Sequence, residues 1–226
     1  MFRNLLAFTI LLLPVLGFSQ NPWINEFHYD NTAADVNEGV EIAGAAGTDL
    51  SCYEIIAYNG AGGASYASIT LSGIIPEEGC GYGAIWFPFA GLQNGSPDGI
   101  ALHNTCTNTL IEFLSYEGAF LATNGPAATI LSTDILVSEP GITPVGQSIQ
   151  LTGSGNISSA FTWTGPIASS QGLLNTGQTI TPCSATNTIT TGLISSALFI
   201  VDCTNAITDA GSVAFTSSGS YTASNI

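Results

Sequence analysis

The sequence predicts an all-β protein: a β-sandwich or barrel followed by a short, incomplete second β-module. Three observations predict it. Gly, Ser, Thr, Asn and Ala separate short runs rich in β-branched and aromatic residues, a composition of strands and turns rather than helices. Turn-forming clusters recur at short intervals, at Asn59-Gly60, Gly73, Pro76–Gly79, Asn94–Gly99 and Asn104–Asn108. No stretch sustains the apolar period of about 3.6 residues that marks an amphipathic helix.

The elements follow in order. Residues 1–19 read as a secretory signal: Arg3 is the cation of the opening, Leu5–Phe18 is an apolar run, and Gly17-Phe18-Ser19 is a small-x-small cleavage site. The run is too short for a membrane span, which needs about 20 apolar residues, so no span is expected after cleavage. Strands are expected at Trp23–Tyr29, Gly39–Ala43, Tyr53–Tyr58, Ser68–Leu71, Gly81–Phe87, Gly99–His103, Leu110–Tyr116, Ser148–Leu151 and Phe161–Thr164. Their spacing is that of a sandwich or barrel, and the first domain is placed at 20–180. Gly165–Gln178 reads as a loop. In the first strand, Trp23, Asn25, Phe27 and Tyr29 would share the core face, with Ile24, Glu26, His28 and Asp30 on the other. Residues 181–226 would add strands at Thr188–Leu193, Ala197–Asp202 and Ser212–Ser217. That is too little to close a sandwich of about 100 residues, so this module is expected to be partial.

Charge narrows the function. The chain has one Lys or Arg against 16 Asp and Glu, and loss of Arg3 with the signal would take the formal charge from −15 to −16. Without basic side chains, direct nucleic-acid binding is not expected. Five cysteines (Cys52, Cys80, Cys106, Cys183 and Cys203) fit an oxidising, extracellular compartment. Cys183 and Cys203 are expected to bridge each other. The pairing among Cys52, Cys80 and Cys106 stays open, and no C-x-x-C spacing suggests zinc.

Catalytic signatures do not emerge. The only histidines are His28 and His103, and no G-x-S-x-G, H-E-x-x-H, P-loop or dinucleotide fingerprint occurs. Catalysis by this chain is not expected, and no cofactor is required. The sharpest constellation is the acidic stretch Glu26, His28, Asp30, Asn31, Asp35, Asn37, Glu38 and Glu41. Oxygen-rich turns of this kind suit Ca²⁺. Glu26, Asp30, Asp35 and Glu38 are therefore the candidate ligands, against the plainer reading of a solvated acidic loop. His28 is read as a hydrogen-bonded strand residue and His103 as lying at a hairpin end without a partner. Tyr82, Trp86, Phe87 and Phe89 form an aromatic run that packs a core or stacks on sugars, with the core favoured. Phe161 and Trp163 are read as core.

From Trp23 to about Gln178 the chain resembles a bacterial lamin-tail domain. INEFHYDN (Ile24–Asn31), DVNEGVEIAG (Asp35–Gly44), GTDLS (Gly47–Ser51), GLQNGSPDGIAL (Gly91–Leu102), FLSYEG (Phe113–Gly118), ATNGPAA (Ala122–Ala128), STDI (Ser132–Ile135) and TPVGQSIQLTG (Thr143–Gly153) carry the likeness. The tail is similar to repeat-like β-domains of secreted bacterial proteins. The resemblance implies an immunoglobulin-like fold and a non-catalytic accessory module of a secreted or surface protein, with a protein or surface as partner. Two other readings stand beside it: the N-terminal region of an extracellular nuclease or other hydrolase, and a stand-alone Ca²⁺- or carbohydrate-binding protein.

Overall fold

The computed structural model describes residues 20–181 and the short strands 188–191, 199–201, 207–209 and 219–222. The strands of the first region are β1 (Trp23–His28), β2 (Gly39–Ala45), β3 (Tyr53–Asn59), β4 (Ala64–Thr70), β5 (Tyr82–Pro88), β6 (Asp98–Asn104), β7 (Thr109–Tyr116), β8 (Thr133–Asp134), β9 (Gln147–Gly155), β10 (Phe161–Ala168) and β11 (Gln178–Ile180). They form two sheets. One runs β10-β9-β1-β2-β5, with β11 parallel to the end of β9; the other runs β4-β3-β6-β7-β8. The expected immunoglobulin-like sandwich is the architecture observed. In the tail, β12 (Thr188–Thr191) pairs with β15 (Gly219–Thr222), and β13 (Phe199–Val201) with β14 (Ile207–Asp209). The signal segment, the expected strand Ser212–Ser217 and the Cys183–Cys203 bridge lie outside the described residues. Among the described residues no helix is long and apolar enough to cross a membrane.

The core between the sheets takes Phe27, Tyr29, Val40 and Ile42 from one side and Ile55, Ala57, Ile100, Leu102 and Tyr116 from the other. Tyr29 and Tyr116 stack with ring centroids 3.9 Å apart, and Phe27 meets Trp163 edge-on at 5.4 Å. Burial of such side chains is the main favourable term in the fold. Glu112 of β7 ties the sheets together by accepting the Ile24 backbone N–H at 2.7 Å and the Ser158 hydroxyl at 2.6 Å.

The alternation expected for β1 is corrected. The register against β2 slips between Ile24 and Glu26, a β-bulge at Asn25. The extra residue changes the phase of the strand. Ile24, not Trp23, therefore joins Phe27 and Tyr29 in the main core. Trp23 packs in a second cluster with Ala43, Tyr82, Ala84, Leu151 and Phe161. Likewise β10 does not stop at Thr164. It runs on to Ala168 through a register shift at Gly165-Pro166, where φ of Gly165 is +142°. A glycine and a proline are tolerated inside a strand when they sit at a bulge.

The Cys52–Cys106 disulfide joins the start of β3 to the turn after β6 and closes the pairing that sequence left open. Cys80 is not a free thiol. Disulfides of this kind fit an oxidising compartment.

Candidate functional site

The polar chemistry of the molecule gathers at two places, both on β1. The first lies on the sheet face away from the main core. Strand register sets Gln150, Glu26 and Glu41 side by side across β9, β1 and β2. All three are fully buried, because the segment 169–178 folds over them. Glu26 Oε1 accepts the hydroxyls of Ser148 at 2.8 Å and Ser169 at 2.9 Å; Oε2 accepts that of Ser170 at 2.7 Å. The Ser170 N–H points at both oxygens from 3.2 Å. Glu41 accepts from Asn25 Nδ2 at 3.0 Å and Gly172 N–H at 2.7 Å. Farther along, the Leu174 N–H donates to Glu78 at 2.6 Å. Burial pushes the Glu41 carboxyl up to about 8, against the opposing pull of the Asn25 and Gly172 hydrogen bonds and with help from the Glu26 charge. The carboxylates thus act as acceptor posts on which a long loop is hung.

The second place is the end of β1. His28 Nδ1 lies 2.9 and 3.0 Å from the two oxygens of Glu139, and its Nε2 lies 3.1 Å from Asn31 Oδ1. The Asn31 amide has one orientation. Its Oδ1 accepts the Val36 N–H, and its Nδ2 donates to the carbonyls of Thr32 and Ala34. Glu139 accepts the backbone N–H groups of Tyr29 at 2.7 Å and Asp30 at 3.0 Å. Both ring nitrogens of His28 therefore face acceptors, so both must donate, and the ring is an imidazolium. Burial works against that charge, but the hydrogen bond and charge of Glu139, together with Asn31, outweigh it and raise the His28 pKa above its ordinary 6.5. The clamp fixes the loops on either side of it. Thr32 donates its N–H at 2.9 Å and its hydroxyl at 3.2 Å to the Thr143 carbonyl.

The four expected metal ligands do not meet at one point. Asp30 and Asp35 come close enough that the Asp35 charge adds to burial, the larger cause, in raising the Asp30 pKa, against the pull of Asn94. Glu26 is held in the serine shell described above. Glu38 caps the turn after β5 by accepting the Gly91 N–H at 2.8 Å. Among the described residues no group of three or more His, Cys, Asp or Glu is placed to hold a metal ion. His103 is a correction: it has partners, Glu54 at 2.9 Å from Nδ1 and Asn108 at 3.2 Å from Nε2. The aromatic run is mostly packing. Tyr82 and Phe89 are buried, and the Trp86 ring lies so close over Gly39 that a Cβ there would sit 2.6 Å from it. Phe161 is buried and Trp163 half-buried, as the core reading expects. A polar cleft of about 380 Å³ opens beside Asn59, Gln93, Asn94 and Asp98.

Glu139, Ser170 and Asn175 were missed by sequence reasoning. Each lies more than 100 residues from the β1 group it touches, with separations of 111, 144 and 150 residues. The one sequence signal was compositional, the run of hydroxyl and amide side chains from Ser169 to Gln178 in a segment without apolar periodicity.

Fold and sites together define an all-β sandwich whose carboxylates and histidines are bonded into the framework. No family model, no curated protein and no solved structure matches the chain.

Proposed function

We propose that this chain is a non-catalytic, extracytoplasmic accessory module of lamin-tail type that docks a neighbouring protein or surface through the loops at the His28 end of the sandwich. The observation that carries the reading is the loop pair 31–38 and 140–146. It is tied together through Thr32 and Thr143 and anchored by the buried His28–Glu139 clamp, yet it turns apolar side chains outward. Ile142 is 79% exposed and Val145 58%, with Val36 also exposed. Loops held this firmly lose little freedom on binding, so their apolar groups contribute more of their burial to affinity. The formal charge of −15 favours a basic partner by steering. The Cys52–Cys106 disulfide supports an oxidising setting.

The test is site-specific photocrosslinking in the source culture, with the reactive group at exposed Pro144. The expected result is a discrete adduct that disappears in the Ile142→Asp/Val145→Asp variant. No adduct, or one that the double variant leaves undiminished, overturns the docking role.

A further inference from the structure

We infer that Glu26, Gln150, Ser170 and Asn175 form a buried binding site for one hard cation, with Ca²⁺ the ion that fits. The argument is a count of hydrogens. The Ser170 hydroxyl lies 2.7 Å from Glu26 Oε2, 3.0 Å from Asn175 Oδ1 and 3.2 Å from Gln150 Oε1. Both amides have fixed orientations. Asn175 Nδ2 donates to the carbonyls of Asn25 and Leu151, each at 2.9 Å, and Gln150 Nε2 donates to the Ala168 carbonyl at 2.7 Å. Turning either amide would set oxygen against carbonyl oxygen. Three acceptors therefore converge on a hydroxyl that has one hydrogen to give. Gln150 is fully buried and Asn175 is 2% exposed, so bulk water does not make up the deficit. Oxygens left without a hydrogen in such a place cost free energy.

Charge points the same way by an independent route. Glu26 is fully buried beside Glu41, whose own carboxyl burial pushes up to about 8, and the chain's single Lys or Arg is Arg3, outside the described residues. Buried carboxylates are normally paired or metal-bound. A cation seated among the four oxygens meets both needs. It takes the place of the missing hydrogens and supplies the missing countercharge. The donors are all oxygen, which selects a hard ion. The carboxylate oxygens, two amide oxygens and the Ser170 hydroxyl, with the Ser148 and Ser169 hydroxyls alongside, approach the roughly 6–8 oxygen ligands that Ca²⁺ takes. Bound there, the ion would fasten the segment 169–178 to the sheet. This site keeps Glu26 from the acidic stretch and draws its other ligands from the distant β9 and loop residues. It adjoins the docking loops without sharing a residue with them: the Ser169 N–H donates to the Gly146 carbonyl at 2.9 Å and Gln171 Nε2 to the Asn37 carbonyl at 3.4 Å.

The experiment uses the full chain, stripped with chelator and then titrated with CaCl₂, with metal content by mass spectrometry and thermal melts. Expected are one bound Ca²⁺ and a rise in Tm of several degrees, both lost in Glu26→Gln. Glu41→Gln and Asp30→Asn/Asp35→Asn should keep the response, which separates the site from general Ca²⁺ attraction by an acidic surface. The inference is overturned if Ca²⁺ leaves the stripped protein's Tm unchanged, if Glu26→Gln still responds, or if the Asp30/Asp35 variant is the one that loses the response. Should Glu26→Gln fail to fold, Ser170→Ala decides: a loss of Ca²⁺ affinity of about tenfold or more supports the site, and unchanged affinity overturns it.

Discussion

Replacing His28 with Gln removes one charge and little volume from the clamp at the end of β1, and the cost can be worked from the structure. Glu139 is fully buried and loses its counter-ion, keeping the backbone N–H groups of Tyr29 and Asp30, just past β1, as donors. Breaking a buried ion pair from one side costs about 3–5 kcal/mol. For a domain of this size that lowers Tm by roughly 6–20 °C, taking about 2–4 °C per kcal/mol. The pH dependence gives the sharper test. His28 has a folded pKa above its unfolded value of 6.5. Its contribution is complete below the unfolded pKa and is lost as pH rises through the folded one. Urea unfolding of wild type and His28→Gln from pH 5.5 to 9.5 should therefore show a gap that is widest at the acid end and closes toward alkaline pH. Asp30, the other titratable group facing the ring, is common to both proteins and drops out of the difference. A constant gap, or one that widens with pH, would refute the claim that His28 is held as an imidazolium. So would an NMR titration that finds the ring neutral at pH 7.

Three further outcomes follow from named contacts. Tyr29→Phe removes the hydroxyl that accepts the Glu139 N–H at 2.7 Å, leaving a buried donor unmet; chemical denaturation should register a loss of about 1–3 kcal/mol. Cys52→Ala/Cys106→Ala opens a loop with a sequence separation of 54, for which loop-closure entropy predicts a loss of about 4 kcal/mol in a denaturant melt. In Gly60→Ala the new Cβ would fall 2.1 Å from the Pro97 carbonyl oxygen, a backbone atom that also receives the Gly60 N–H. Forced displacement there should cost about 1–3 kcal/mol, and a variant as stable as wild type would show that the Pro97 strand lead-in yields freely.

The fold was legible because most strands obey local rules. β2, β3, β6 and β7 appear where β-branched and aromatic residues sit between turn clusters. What local rules missed was phase and distance. The period of two in β1 held on each side of Asn25 but not across it, so Trp23 was placed with Phe27 when Ile24 belongs there. Gly165-Pro166 looked like a stop because a bulge and a turn use the same residues. β8 and β11, of two and three residues, are too short to leave a pattern. The sites were half legible. Glu26 and His28 stood out as polar groups on a strand, and Asp30 with Asp35 as a local pair. Their decisive partners come from the far end of the chain, and nothing in the spacing of Ser170 or Glu139 shows that the sheet order brings them home.

The two histidines have a consequence for how the molecule meets its surroundings. Arg3 apart, they are the chain's side chains able to take on a positive charge, and they are 2% and 5% exposed, each facing a carboxylate. The outward face of the described fold is therefore of one sign. Neighbouring copies feel repulsion from every approach, over a range of about 10 Å at 0.1 M salt. Dissolved ions, rather than any patch on the protein, then decide how closely two molecules can stand, and reagents that seek side-chain amines find none on this fold.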